Sequence, residues 1–62
     1  MTIQTINKDM KEPEDEGAYI VTRPDGSQFF TAHKGRYWDV GEPSLWDEVQ
    51  YWFDGFSIES LA

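Results

Sequence analysis

Hydrophobic and polar positions sort this chain into a polar N-terminal stretch, three β-like runs and one helical stripe. Thr2 to Ile6 alternates polar and apolar residues, the pattern of a short strand or of a loose arm. Residues 7–16 are polar, acidic and interrupted by Pro13, which predicts an exposed loop or a single helical turn. Regular structure is expected after Gly17. Residues 18–23, 28–33 and 36–40 are rich in β-branched and aromatic side chains, as strands are. Between them stand Pro24-Asp25-Gly26-Ser27 and Lys34-Gly35. Pro presets a turn dihedral and Gly accepts a positive φ, so both read as tight reversals of an antiparallel meander.

Gly41-Glu42-Pro43 then ends the last run. Ser44 is a good N-cap, and Asp47 three residues on nearly matches a capping box. Leu45, Val49, Trp52, Phe53 and Phe56 fall on one helical face, with Asp47, Gln50, Tyr51 and Asp54 toward the other. Gly55 is a natural stop, and residues 57–62 read as one more turn or a frayed tail. The expected class is α+β: a three-stranded antiparallel β-meander followed by one amphipathic helix packed on the sheet. It forms a single domain, with an acidic arm over 1–16, the meander over 17–40 and the helix over 44–55.

Charge changes this picture. Twelve Asp+Glu stand against five Lys+Arg, a formal net charge of −7 on 62 residues. Charge this dense usually accompanies disorder, but three Trp, three Tyr and four Phe do not. The combination predicts a small folded domain with an anionic surface, stabilised by added salt. Such a surface repels nucleic acid and anionic lipid and attracts proteins built to hold them. No cysteine is present, so disulfides and thiolate metal sites are excluded and buried aromatics must substitute for a staple. The N-terminus has no basic start, and no stretch approaches the length of a membrane span. The expectation is a soluble, cytoplasmic monomer.

Catalytic chemistry finds little support. His33 is the single histidine, and Ser27, Ser44, Ser57 and Ser60 sit in turns, a cap or the tail. A triad needs a nucleophile, base and orienter in mutual reach. His33 therefore reads as structural or surface, and no enzyme or cofactor is expected. Glu12, Glu14, Asp15 and Glu16 lack the alternating pattern with a central Gly of a calcium loop, so no metal site is expected. Five scattered bases cannot supply a nucleic-acid footprint, so direct binding is not expected.

The run Glu12-Pro13-Glu14-Asp15-Glu16 has two readings. One is a solvated loop that aids solubility. The other is phosphate mimicry: in an extended segment every second residue is roughly 6.5–7 Å apart, near the separation of neighbouring phosphates on one strand. Duplex DNA carries one charge per roughly 1.7 Å of axis, so a rod about 20 Å long carries around as many charges as this chain has acids. The rings also have two readings. Most of Tyr19, Phe29, Phe30, Trp38, Leu45, Val49, Trp52 and Phe53 belong to the core. Yet Phe29 and Phe30 point to opposite faces of a strand, as do Tyr37 and Trp38. One of each pair is then exposed, unless the N-terminal arm covers the second face, and exposed rings in a polar rim suit a protein interface.

Pro13, Gly17, Tyr19, Val21, Asp25-Gly26, Ala32, Trp38, Val49 and Trp52 trace a P-x-x-x-G-x-Y-x-V, D-G, Trp, V-x-x-W pattern. It resembles short, tryptophan-rich domains of unknown function encoded by phages and prophages. The chain lacks their leading Trp segment and closing proline-rich tail. The resemblance implies a mobile-element origin. In character the chain is similar to anti-CRISPR and anti-restriction proteins that imitate DNA. The resulting expectation is a non-enzymatic inhibitor seated in the basic channel of a host nucleic-acid-binding complex, a type I CRISPR surveillance complex being one candidate. Glu12, Glu14, Asp15 and Glu16 would form one group of false phosphates. Asp47, Glu48 and Asp54 would form another, with Asp39 and Glu42 between them and Tyr37 or Tyr51 adding shape. The alternative is an accessory domain that binds a protein through exposed aromatics.

Overall fold

The computed structural model describes residues 3–61. Six strands form one antiparallel sheet: β1 (Ile3–Thr5), β2 (Gly17–Thr22), β3 (Gln28–Lys34), β4 (Tyr37–Asp39), β5 (Pro43–Ser44) and β6 (Ser57–Ser60). One short helix, α1 (Trp46–Trp52), precedes β6. The strand order is β1-β6-β2-β3-β4-β5.

This overturns the expected three-stranded meander with one amphipathic helix. The meander is present as β2-β3-β4, but it is the middle of a larger sheet. The C-terminal run, read from sequence as a turn or a tail, pairs with both β1 and β2. Within β6 Ile58 is the single apolar residue, and it points into the core. Polar partners at Ser57, Glu59 and Ser60 hid the strand. The arm reading of the N-terminus gives way to β1, with Ile3 opposite Glu59 and Thr5 opposite Ser57. Thr2, read with that run, and Ala62, read with the tail, lie outside the described residues.

Two turns hold the meander as their residues dictate. Around Pro24-Asp25-Gly26, the Asp25 Oδ1 accepts from the Ser27 N–H at 2.9 Å and the Ser27 hydroxyl at 2.7 Å. Those bonds hold the Asp25 carboxyl below the usual carboxylate range. Gly35, with φ of 63°, opens the two-residue link between β3 and β4, a conformation that L side chains rarely adopt.

The helix is shorter than expected and starts later. Leu45, not Ser44, is its N-cap, and Glu48, not Asp47, reaches back to the Leu45 N–H at 3.1 Å. Ser44 is buried in β5, where its hydroxyl donates to the Glu42 carbonyl at 3.2 Å. The inward stripe is Trp46, Val49, Gln50 and Phe53, at helical spacings of three, one and three. Leu45 and Trp52, both expected inside, are exposed. The helix also ends earlier than expected, at Trp52 with Phe53 as its C-cap, and Gly55, expected as the stop, lies in the following turn, where its N–H donates to the Ile6 carbonyl at 2.7 Å.

Strand alternation gives the sheet two unlike faces. Tyr19, Val21, His33, Trp38 and Ile58 point to the covered face, beneath α1 and residues 6–16. Ile6, Trp46 and Val49 close this core from above. Phe30 and Tyr37 emerge on the other face, while their neighbours Phe29 and Trp38 turn inward. The N-terminal segment covers the same face as the helix, so the second face stays bare.

Candidate functional site

The acidic segment is held to the core by the polar ends of buried side chains. Trp46 Nε1–H donates to the Met10 carbonyl at 3.1 Å. The Gln50 amide donates to the Asn7 and Met10 carbonyls, each at 2.9 Å. Trp38 Nε1–H donates to Glu12 Oε2 at 2.8 Å. The Tyr19 hydroxyl donates to the Asp15 carbonyl at 2.6 Å, and His33 Nδ1 stands 3.0 Å from the same oxygen. A buried indole or phenol needs a partner for its polar end, and here the strap supplies one to each of Trp38, Trp46 and Tyr19. The expected exposed loop is present, and it is tied down as a strap by β2, β3, β4 and α1.

The aromatic layer under the strap is continuous. Trp38 stacks on His33 with ring centroids 4.2 Å apart and planes 3° apart. Tyr19 lies 4.9 Å and Trp46 5.2 Å from Trp38. Burial, with the Asp15 charge nearby, pushes the Tyr19 hydroxyl above its ordinary value. The folded state thus holds the Tyr19 proton more tightly than the unfolded chain does. This contribution is complete below about pH 10 and disappears as pH rises through the folded value. Alkaline unfolding should therefore steepen above about pH 10, and Tyr19→Phe should flatten that limb of a pH–urea titration. An unchanged limb would remove Tyr19 from the strap's support.

The sequence-derived acids separate into three settings. Glu14, Asp15 and Glu16 keep exposed side chains on the strap, with one weak, exposed ion pair from Lys11 to Glu14 at 3.9 Å. Glu12 turns inward to Trp38 and His33, so the expected row of Glu12, Glu14 and Glu16 is broken at its first member. Asp47, Glu48 and Asp54 are exposed on α1 and the turn after it. Asp47, Asp54 and Tyr51 line a shallow groove of about 530 Å³ with Lys8 and Gln50. Asp39 and Glu42 line another, of about 410 Å³, beside Tyr37. Asp39 projects from the bare face, opposite Ala32 and Pro43. The structure thus brings the strap acids and the helix acids to the covered side, and leaves Asp39 and Tyr37 on the other.

Sequence reasoning missed Trp46 and Gln50 as strap holders, and Asp9 as a further exposed acid on the strap. The spacing of Trp46, Val49 and Phe53 was the available signal for the first. Nothing in the sequence marked Gln50. The His33 ring is enclosed between Trp38 and the strap, so a solute meets it only if the strap moves. Among the described residues, no group of three or more His, Asp or Glu converges on a metal-sized site. Among the same residues, no helix is long and apolar enough to cross a membrane.

No family model, curated protein or solved structure matches the chain.

Proposed function

We propose that this chain is a non-enzymatic inhibitor of phage or other mobile-element origin, active as a monomer in the host cytoplasm. It places a fixed anionic surface in the nucleic-acid site of a basic host defence complex, with a type I CRISPR surveillance complex as the candidate. The observation that carries this reading is the strap. Five side chains pin it before any partner arrives, so Glu14, Asp15 and Glu16 need no ordering on binding. Among the described residues, Lys11–Glu14 is the one ion pair of a Lys or Arg within 4 Å, so the acids on the strap are largely uncompensated.

Charge density selects the strand being imitated. Along the 29 Å long axis a duplex carries about 17 phosphate charges and a single strand about 9. The net charge of −7 sits near the single strand. The natural target is then a channel that holds one strand.

Competition decides the matter. Target-DNA binding by a purified type I surveillance complex should fall as this protein is added, and less so at higher salt. Glu14→Lys, Asp15→Lys and Glu16→Lys together should weaken inhibition at least about tenfold, with an unchanged circular dichroism spectrum. Inhibition that survives the triple reversal would sink the mimicry.

A second reading rests on the bare sheet face. Phe30 is 72% exposed there and Ile3 65%, with Tyr37 on the same face. Such a patch suits an apolar protein partner, with charge serving solubility. On that reading Phe30→Ser with Tyr37→Ser removes binding, and the acid reversals are mild.

A further inference from the structure

The surroundings of His33 constrain where its protons lie. Nδ1 faces the Asp15 carbonyl oxygen at 3.0 Å. A carbonyl only accepts, so Nδ1 carries a hydrogen. A neutral imidazole has one N–H, which leaves Nε2 as a bare lone pair. That Nε2 is buried, has no hydrogen-bond partner, and stands 3.6 Å from Glu12 Oε2. The neutral ring therefore sets a buried lone pair against a carboxylate that is itself half-exposed. One proton added to Nε2 from solvent converts this repulsion into a charge-assisted contact, and Glu12 Oε2 then accepts from both His33 and Trp38.

We propose that His33 is a proton-operated latch: as the imidazolium it clamps the acidic strap at Glu12, and as the neutral ring it gives up that one contact, while the bonds from Tyr19, Trp38, Trp46 and Gln50 keep the strap seated. The groups facing the ring are few. The strap presents the Glu12 carboxylate and Asp15, whose carbonyl holds Nδ1. Strand β2 presents the Tyr19 phenol, 6.4 Å away between ring centroids. Strand β4 presents the uncharged Trp38 ring, with Trp46 of α1 behind it. Lys34, Tyr37 and Asp39 alternate to the bare face, and Asp47 and Glu48 of α1 are exposed. Glu12 is thus the charged group that reads the proton.

The sign follows from the chemistry. The latch is closed while the ring carries the second proton and opens as rising pH removes it. Its consequence is local: the strap loosens while the sheet, held by Trp38, Val21 and Ile58, persists. This inference is independent of any partner, so its failure and the failure of the inhibitor reading are separate results.

The test is a pH titration of the isotope-labelled full chain by NMR between pH 5 and 8. The His33 ring nitrogens report protonation, the Trp38 indole N–H reports the Glu12 contact, and the amides of residues 12–16 report the strap. The indole and strap signals should move with the His33 midpoint. The open fraction of the strap, from amide exchange corrected for base catalysis, should rise at least about tenfold. In Glu12→Gln the amide N–H can donate to the neutral Nε2, so the dependence should vanish or reverse. Three results would each overturn the latch: strap signals that stay fixed while His33 titrates, an Nδ1 without hydrogen, or the same profile in Glu12→Gln. If Glu12→Gln does not fold, the wild-type titration alone decides.

Discussion

Trp38→Ala is expected to leave most of the chain unfolded at 25 °C. Trp38 is completely buried and touches His33, Tyr19 and Trp46. Truncating a buried large aromatic costs about 3–5 kcal/mol through lost transfer energy and the cavity left behind. Loss of its N–H also removes the bond to Glu12, a half-exposed carboxylate that water can reach, for roughly 0.5–1.5 kcal/mol more. A domain of 62 residues holds only about 3–9 kcal/mol in total. Trp38→Phe keeps a ring against His33 and loses the bond to Glu12, so it should fold with a lowered urea midpoint. Urea unfolding followed by near-ultraviolet circular dichroism separates the two. A Trp38→Ala chain that unfolds within about 1 kcal/mol of wild type would show that the aromatic layer is not the centre of the core.

Local chemistry made the middle of the fold readable. Pro24-Asp25-Gly26 and Lys34-Gly35 announce turns because their dihedral preferences are intrinsic. Between those turns, alternation alone sends Phe29 and Trp38 inward and Phe30 and Tyr37 outward. The outer strands had no such local signal. Strand β5 is two residues long, β1 is three, and β6 offers one apolar side chain to the core. Their identity comes from pairing across the chain, as when Ile3 meets Glu59, and no window of sequence contains that contact. The helix was read one position out of phase because Gln50 sits on its inward stripe. A polar residue there looks like a solvent face until its two carbonyl partners on the strap are known.

The candidate site was half legible for the same reason. Composition alone shows that the acids outnumber the bases, and Glu14, Asp15 and Glu16 are indeed displayed. Which acid turns inward is a three-dimensional matter. Glu12 is withdrawn from the row because Trp38 and His33, both far along the chain, converge on its carboxylate. The same convergence ties down the backbone from which the remaining acids project. Structural support and anionic display are thus divided among neighbours in one short segment: Glu12 anchors and Glu14 and Glu16 face water.

Ile58→Asp is expected to unfold the chain more completely than any single change in the strap. Ile58 is 2% exposed, lies between Gln4 of β1 and Val21 of β2, and closes the core from the end of the sequence. A carboxylate there would have no ion-pair or hydrogen-bond partner in an apolar layer, and losses above about 4 kcal/mol are usual for such a burial. Glu59→Lys, one residue on and facing the bare side, should change stability by no more than about 0.5 kcal/mol. The contrast is decisive because a three-stranded meander ending at residue 40 would tolerate both changes alike. Should Ile58→Asp fail to express, Ile58→Ala serves: it should cost about 2–5 kcal/mol by urea unfolding. A wild-type midpoint for Ile58→Ala would detach β6 from the sheet. It would also free β1, whose strand pairing is to β6. The strap enters directly from β1 through the buried Ile6, whose N–H and carbonyl are tied to Phe56 and Gly55. The closing strand therefore anchors one end of the acidic segment, while Tyr19 and His33 anchor the other.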